Sequence, residues 1–162
     1  DSFKIEGRMK TALYVATVAR TYRKAIDDYM ESEEKYRANM EYYKREIAKC
    51  TYRQFTTGFY FGKTDSESQI YDNNTYVKNY TYIGTVREVT PDGCVCFEQK
   101  NKFLVGEKLE AMGFDGTNIE CEVQAIYDEE ENSMDSAPHP KQKLRVKLDK
   151  ELETGIILRR KE

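Results

Sequence analysis

Long apolar runs, histidine, cysteine and net positive charge are all scarce, and these scarcities set the first limits. No apolar run approaches the ~20 residues that a membrane helix needs, and the opening Asp1-Ser2-Phe3-Lys4 lacks the basic, apolar, small-residue order of a secretory leader. A cytoplasmic chain with no membrane partner is therefore expected. Histidine occurs once, at His139 between Pro138 and Pro140; with no second histidine, no Ser or Cys nucleophile paired with a base can be assembled, which excludes a complete protease. Cysteine is sparse too. Cys50, Cys94, Cys96 and Cys121 could arithmetically form two bridges, but without other signs of secretion free thiols are expected. Cys94 and Cys96 would share a strand face, whereas zinc sites favour C-x-x-C turns with further ligands nearby, so no metal site is expected. A general excess of positive charge is also missing: the net charge is −3. Residues 1–63 carry 13 Lys and Arg against 9 Asp and Glu, and the remainder 13 against 20. An acidic second half excludes loose, nonspecific attraction to nucleic acid, so any RNA contact there must be local.

What is present changes period along the chain. Residues 2–8 alternate apolar and polar and end on a glycine, which predicts a strand leading into a helix. Leu13, Ala16, Ala19, Tyr22, Ile26 and Tyr29 recur at steps of three or four with Arg20, Arg23, Lys24 and Asp27 between them, predicting an amphipathic helix over 10–30 with the charged residues in solvent. Ser32, followed by Glu33 and Glu34, suits a helix start; Tyr36, Met40, Tyr43 and Ile47 make the stripe of a second helix ending near Lys49. Arg53 to Gly62 reads as an irregular aromatic segment laid on a surface, and 63–81 as a linker. From Tyr82 the period becomes two. Pro91-Asp92-Gly93 and Gly113-Phe114-Asp115-Gly116 mark turns, and the close strand spacing suits a small barrel. Residues 128–141 interrupt it as a long loop, expected to be mobile. The predicted fold class is thus α+β: a strand and two helices over 1–62, then a small antiparallel β-barrel of about six strands over 82–162.

The order Ser2-Phe3-Lys4-Ile5-Glu6-Gly7-Arg8-Met9-Lys10, with Tyr14-Val15-Ala16 and Tyr22-Arg23-Lys24-Ala25 after it, resembles the closing stretch of the collagenase-like peptidase family, family U32. Ile5-Glu6-Gly7-Arg8 alone also spells a processing-protease site, but a second motif supports a native origin: Arg53-Gln54-Phe55-Thr56-Thr57-Gly58-Phe59 resembles the family's downstream segment. There Cys50 and Tyr52 stand where the family carries Ser and His. The resemblance implies that 1–62 is the end of a catalytic α/β barrel, that an upstream catalytic domain of the same chain is a partner, and that an iron–sulfur cluster, if any, is held by upstream cysteines, leaving no cofactor in this part. Gly84-Thr85-Val86, Val105 to Glu110 and Gly155 to Arg160 resemble in pattern the β-barrel of translation factors.

Reacting groups of α/β barrels sit where strands end, so Lys4, Glu6 and Arg8 fall where a substrate would, with Arg53 as a further substrate-binding candidate. The alternative is that the three simply pair with one another. In the barrel, Lys143, Arg145 and Lys147 share a strand face opposite Leu144, Val146 and Leu148, with Lys141 just before them; such a row could contact phosphates. The alternative is a solvated face that discourages edge pairing. Family relatives imply either proteolysis or hydroxylation of the tRNA wobble uridine. A noncatalytic module holding tRNA is the expected role; a peptide-binding accessory domain of a protease, or a purely structural or dimerising domain, are the alternatives.

Overall fold

The computed structural model of the chain describes residues 2–50, 57–63 and 79–162. Arg53 and most of the expected linker lie outside the described residues.

Three helices come first. α1 (Ala12–Glu31) starts on Thr11, whose hydroxyl accepts from the Tyr14 amide, and stops at Ser32, where the backbone turns extended. Ser32 then caps α2 (Glu33–Ala38) by accepting from the Lys35 amide, with Glu33 and Glu34 in the first turn where the helix dipole favours negative charge. One continuous second helix was the expectation. Instead the chain breaks at Asn39 and resumes as α3 (Met40–Ile47), because the Asn39 amide group donates to Asp28 of α1 at 3.0 Å. Asp28 also accepts from the Tyr43 hydroxyl at 2.6 Å; these bonds to a nearly inaccessible carboxylate tie the helices together.

Residues 2–7 form no strand. An alternating pattern becomes a strand only where a ladder partner exists, and here the segment is exposed, its Phe3 ring resting on Tyr22.

The second part is antiparallel: β1 (Tyr80–Thr85), β2 (Glu88–Val89), β3 (Val95–Glu98), β4 (Phe103–Leu104), β5 (Lys108–Met112), β6 (Asn118–Tyr127), β7 (Ser133–Met134), β8 (Ser136–Ala137), β9 (Lys143–Leu148) and β10 (Ile157–Lys161). Six of them exceed two residues, and the main sheet runs β1-β10-β5-β6-β9-β3-β2. The expected barrel is therefore an unclosed sheet. Its two ends, β1 and β2, are nonetheless consecutive in the chain, so one bent segment edges both sides. Val86, at the bend, donates to the Ile156 carbonyl at 2.9 Å and Arg87 to that of Cys96 at 2.8 Å.

Inside lie Ile83, Val86, Val95, Phe97, Leu144 and Val146, with other buried side chains in the same cluster. Period two holds along β9, where Leu144, Val146 and Leu148 face in. Along β6 it slips: Cys121 and Val123 are buried, but a bulge between Val123 and Ala125 turns Ile126 inward in place of Tyr127. The loop of 128–141 is anchored rather than free, since β7 pairs with β6, β8 pairs with β4, and Ala137 is fully buried.

Candidate nucleic-acid interface

The helices sit on the outer face of the sheet. Leu13 meets Met112 and Ile157, with Ala16 and Tyr82 alongside, a small contact that charge extends. Arg159, in β10, is wholly buried; its guanidinium donates to Glu46 of α3 at 2.9 Å and to Glu110 of β5 at 2.6 Å, and lies over the Tyr80 ring. Arg20 of α1 reaches the same Glu46 at 2.7 Å and the carbonyls of Gly113 and Thr117. Lys49 bridges Glu46 and Glu110 at 2.7 and 3.0 Å, and the Asn118 amide donates to Glu46 at 2.8 Å. Burial pushes the Glu46 carboxyl up, but hydrogen bonds from Lys49 and Arg159 outweigh it and hold the group below the ordinary carboxylate range. This joint was not legible from periodicity, which put Arg20 in solvent.

The basic row stands where period two puts it, but it is not free. Arg145 pairs with Asp92 at 3.0 Å and with Glu131, and its guanidinium stacks on Tyr127. Lys147 donates to the Asp92 carbonyl at 2.7 Å, and Lys143 pairs with Glu129 at 3.2 Å. Lys141 is exposed in the turn before β9. Asp92, in the Pro91-Asp92-Gly93 turn that Gly93 closes with a φ of 77°, accepts from Thr90 and Cys94; these bonds, with Arg145 beside it, bring its carboxyl down to about 2. Arg159, Arg160 and Lys161 do not extend the row, because β10 pairs with β1 and β5 rather than β9.

At the other end of the chain Lys4, Glu6 and Arg8 are exposed, and the one bond within the trio runs from the Arg8 amide to the Glu6 carboxylate at 3.0 Å. Phe59, Tyr60 and Phe61 are exposed as well, although they were expected to pack on a surface.

Cys50, Cys94 and Cys121 are buried and Cys96 is half-buried, and no three His, Cys, Asp or Glu side chains among the described residues converge as ligands. Burial pushes the Cys121 thiol up to about 12 and also raises Cys50, Cys94 and Cys96. No helix among the described residues is long and apolar enough to cross a membrane.

The sequence pattern of the peptidase family U32 C-terminal domain matches residues 78–159, and that of peptidase family U32 matches residues 1–70. The chain belongs to peptidase family U32. Over 99% of its length this U32 chain is 35% identical to tRNA hydroxylation protein P1 of Bacillus subtilis (strain 168), covering 38% of that protein. It is 30% identical over 97% of its length to tRNA hydroxylation protein P of Escherichia coli (strain K12), covering 34% of it. A protein named an uncharacterized protease in Methanocaldococcus jannaschii is 48% identical over 61 residues, which is 38% of this chain and 14% of that one. Among solved structures, the C-terminal domain of a U32 peptidase from Geobacillus thermoleovorans aligns with a TM-score of 0.45 and 28% identity, over 49% of this chain and 99% of that one. The chain thus spans well under half the length of the curated relatives it matches.

Proposed function

We propose that this U32 chain is the noncatalytic tRNA-holding part of a longer cytoplasmic protein that takes part in hydroxylation of the tRNA wobble uridine. The observation that carries the reading is the end-to-end likeness, through helices and sheet alike, to a protein named for tRNA hydroxylation. Any cofactor, an iron–sulfur cluster included, would then belong to an upstream catalytic domain. The buried Arg159–Glu46 joint would fix the sheet against the helices so that a tRNA held by one is presented to what the other supports.

Deleting the gene and measuring hydroxylated wobble uridine in bulk tRNA by mass spectrometry tests this. The modification should fall, and should return with the whole gene but not with one truncated before residue 79. Unchanged modification would contradict the reading.

A second reading, peptide binding for a protease, is favoured by the archaeal relative and by the exposed Phe59, Tyr60 and Phe61, which offer apolar contacts of the kind interfaces use.

A further inference from the structure

The cations of β9 face acids, so the question is which basic groups are free to meet a phosphate. At the seam where the bent β1–β2 segment meets β3 and β9, a cavity of about 350 Å³ is lined by Tyr82, Thr85, Arg87, Glu98, Lys100 and Lys143, among others. Arg87 is exposed and makes no ion pair among the described residues. Lys141 is exposed too, and its amide donates to the Gln99 carbonyl at 2.9 Å, which sets the lysine beside the 98–102 loop. Glu98 reports the convergence: Lys100 first, then Lys141 and Arg87, hold its carboxyl below the ordinary range.

Lys100 and Lys143 do have partners, Glu98 at 2.5 Å and Glu129 at 3.2 Å, but all four side chains are well exposed. Pairs this exposed are screened by water, contribute little, and exchange readily for another anion. Arg145 differs: it is mostly covered, bridges two carboxylates and stacks on Tyr127, so taking it for a phosphate would break three interactions.

We propose that the seam groove, with Arg87, Lys100, Lys141 and Lys143 as its cations, is the surface that holds the RNA phosphate backbone, and that Arg145 and Lys147 are structural. This rests on the tRNA reading above and gives it an address. Glu88 and Glu98 also line the groove, so its positive field is local; the seam recognises a few phosphates rather than polyanions at large. Three or four contacts correspond to a slope of log affinity on log salt of about −2 to −3.

The test is fluorescence anisotropy with bulk tRNA at low and moderate salt, on the full chain, on a seam variant (Arg87→Glu, Lys100→Glu, Lys141→Glu) and on a row variant (Arg145→Gln, Lys147→Gln). Thermal melting of each checks that it is folded. The seam variant should melt like the parent chain yet bind at least tenfold more weakly with a flattened salt slope, and the row variant should stay within about twofold. A folded seam variant that binds like the parent chain overturns the seam while leaving the tRNA reading standing. No tRNA binding by the parent chain at low salt overturns both, and inorganic phosphate competing at millimolar concentration as well as tRNA does would reduce the groove to a simple anion site and overturn RNA holding there.

Discussion

Arg159 and Glu46, 113 residues apart, meet in an ion pair from which water is almost entirely excluded. The pair joins the last strand to the third helix, and both partners spend their remaining capacity on Glu110, Arg20, Lys49 and Asn118. Removing one member leaves a buried charge without its counter-ion. Glu46→Ala should therefore cost about 3–5 kcal/mol, read as a lower urea midpoint. Glu110→Ala, at a more exposed carboxylate, should cost less. Equal, small losses for both would mean that the joint does not hold the two parts together.

The same joint sets an acid limit. Glu46 and Asp28 both titrate below their ordinary range, because hydrogen bonds from Lys49 and Arg159 on the one hand, and from Tyr43 and Asn39 on the other, outweigh burial. A carboxylate with a depressed folded pKa adds stability above its unfolded value, and that stability is lost as pH falls through the folded value. Thermal stability should hold from neutrality down to about pH 4.5 and then drop; Glu46→Gln should flatten that drop. A steeper acid loss in Glu46→Gln than in the parent chain would contradict the assignment.

Gly84 lies where β1 passes over the core, and a methyl placed on it would overlap the Phe97 ring. Gly84→Ala should destabilise by about 1–3 kcal/mol through overpacking, visible as a lower melting temperature. Gly62→Ala is a fair comparison for steric room only, since nothing lies within reach of its added methyl but its φ is 132°.

Thiol labelling offers an independent check on the packing. Cys96, half-buried, should react first with an aromatic disulfide reagent, while Cys50, Cys94 and Cys121 wait for unfolding. Prompt reaction of Cys121 in the folded chain would show the sheet to be open where it is drawn closed-packed.

How much of this was legible beforehand depends on the range of the interaction. Ser32 as a cap, Pro91-Asp92-Gly93 as a turn and the inward Leu144, Val146 and Leu148 follow from local rules, and they stand as read. What failed depended on distant partners. The strand over 2–8 has no ladder to join, the break at Asn39 comes from a bond to Asp28, and the bulge in β6 answers the register of β9. The site followed the same division. The face of Lys143, Arg145 and Lys147 was readable by period two, but the acids that occupy it come from other segments, Asp92 from the β2–β3 turn and Glu129 and Glu131 from the loop after β6. Arg87, off any regular face, gave no signal at all. Lys4, Glu6 and Arg8 were marked by family order, and all three are exposed.

The proposed holding of tRNA is tested most plainly by direct titration of the chain with bulk tRNA across a salt series. Binding that weakens about linearly in log–log form as salt rises, with a slope of about −2 to −3, is the predicted result. Binding that ignores salt, or no binding at low salt, would contradict it.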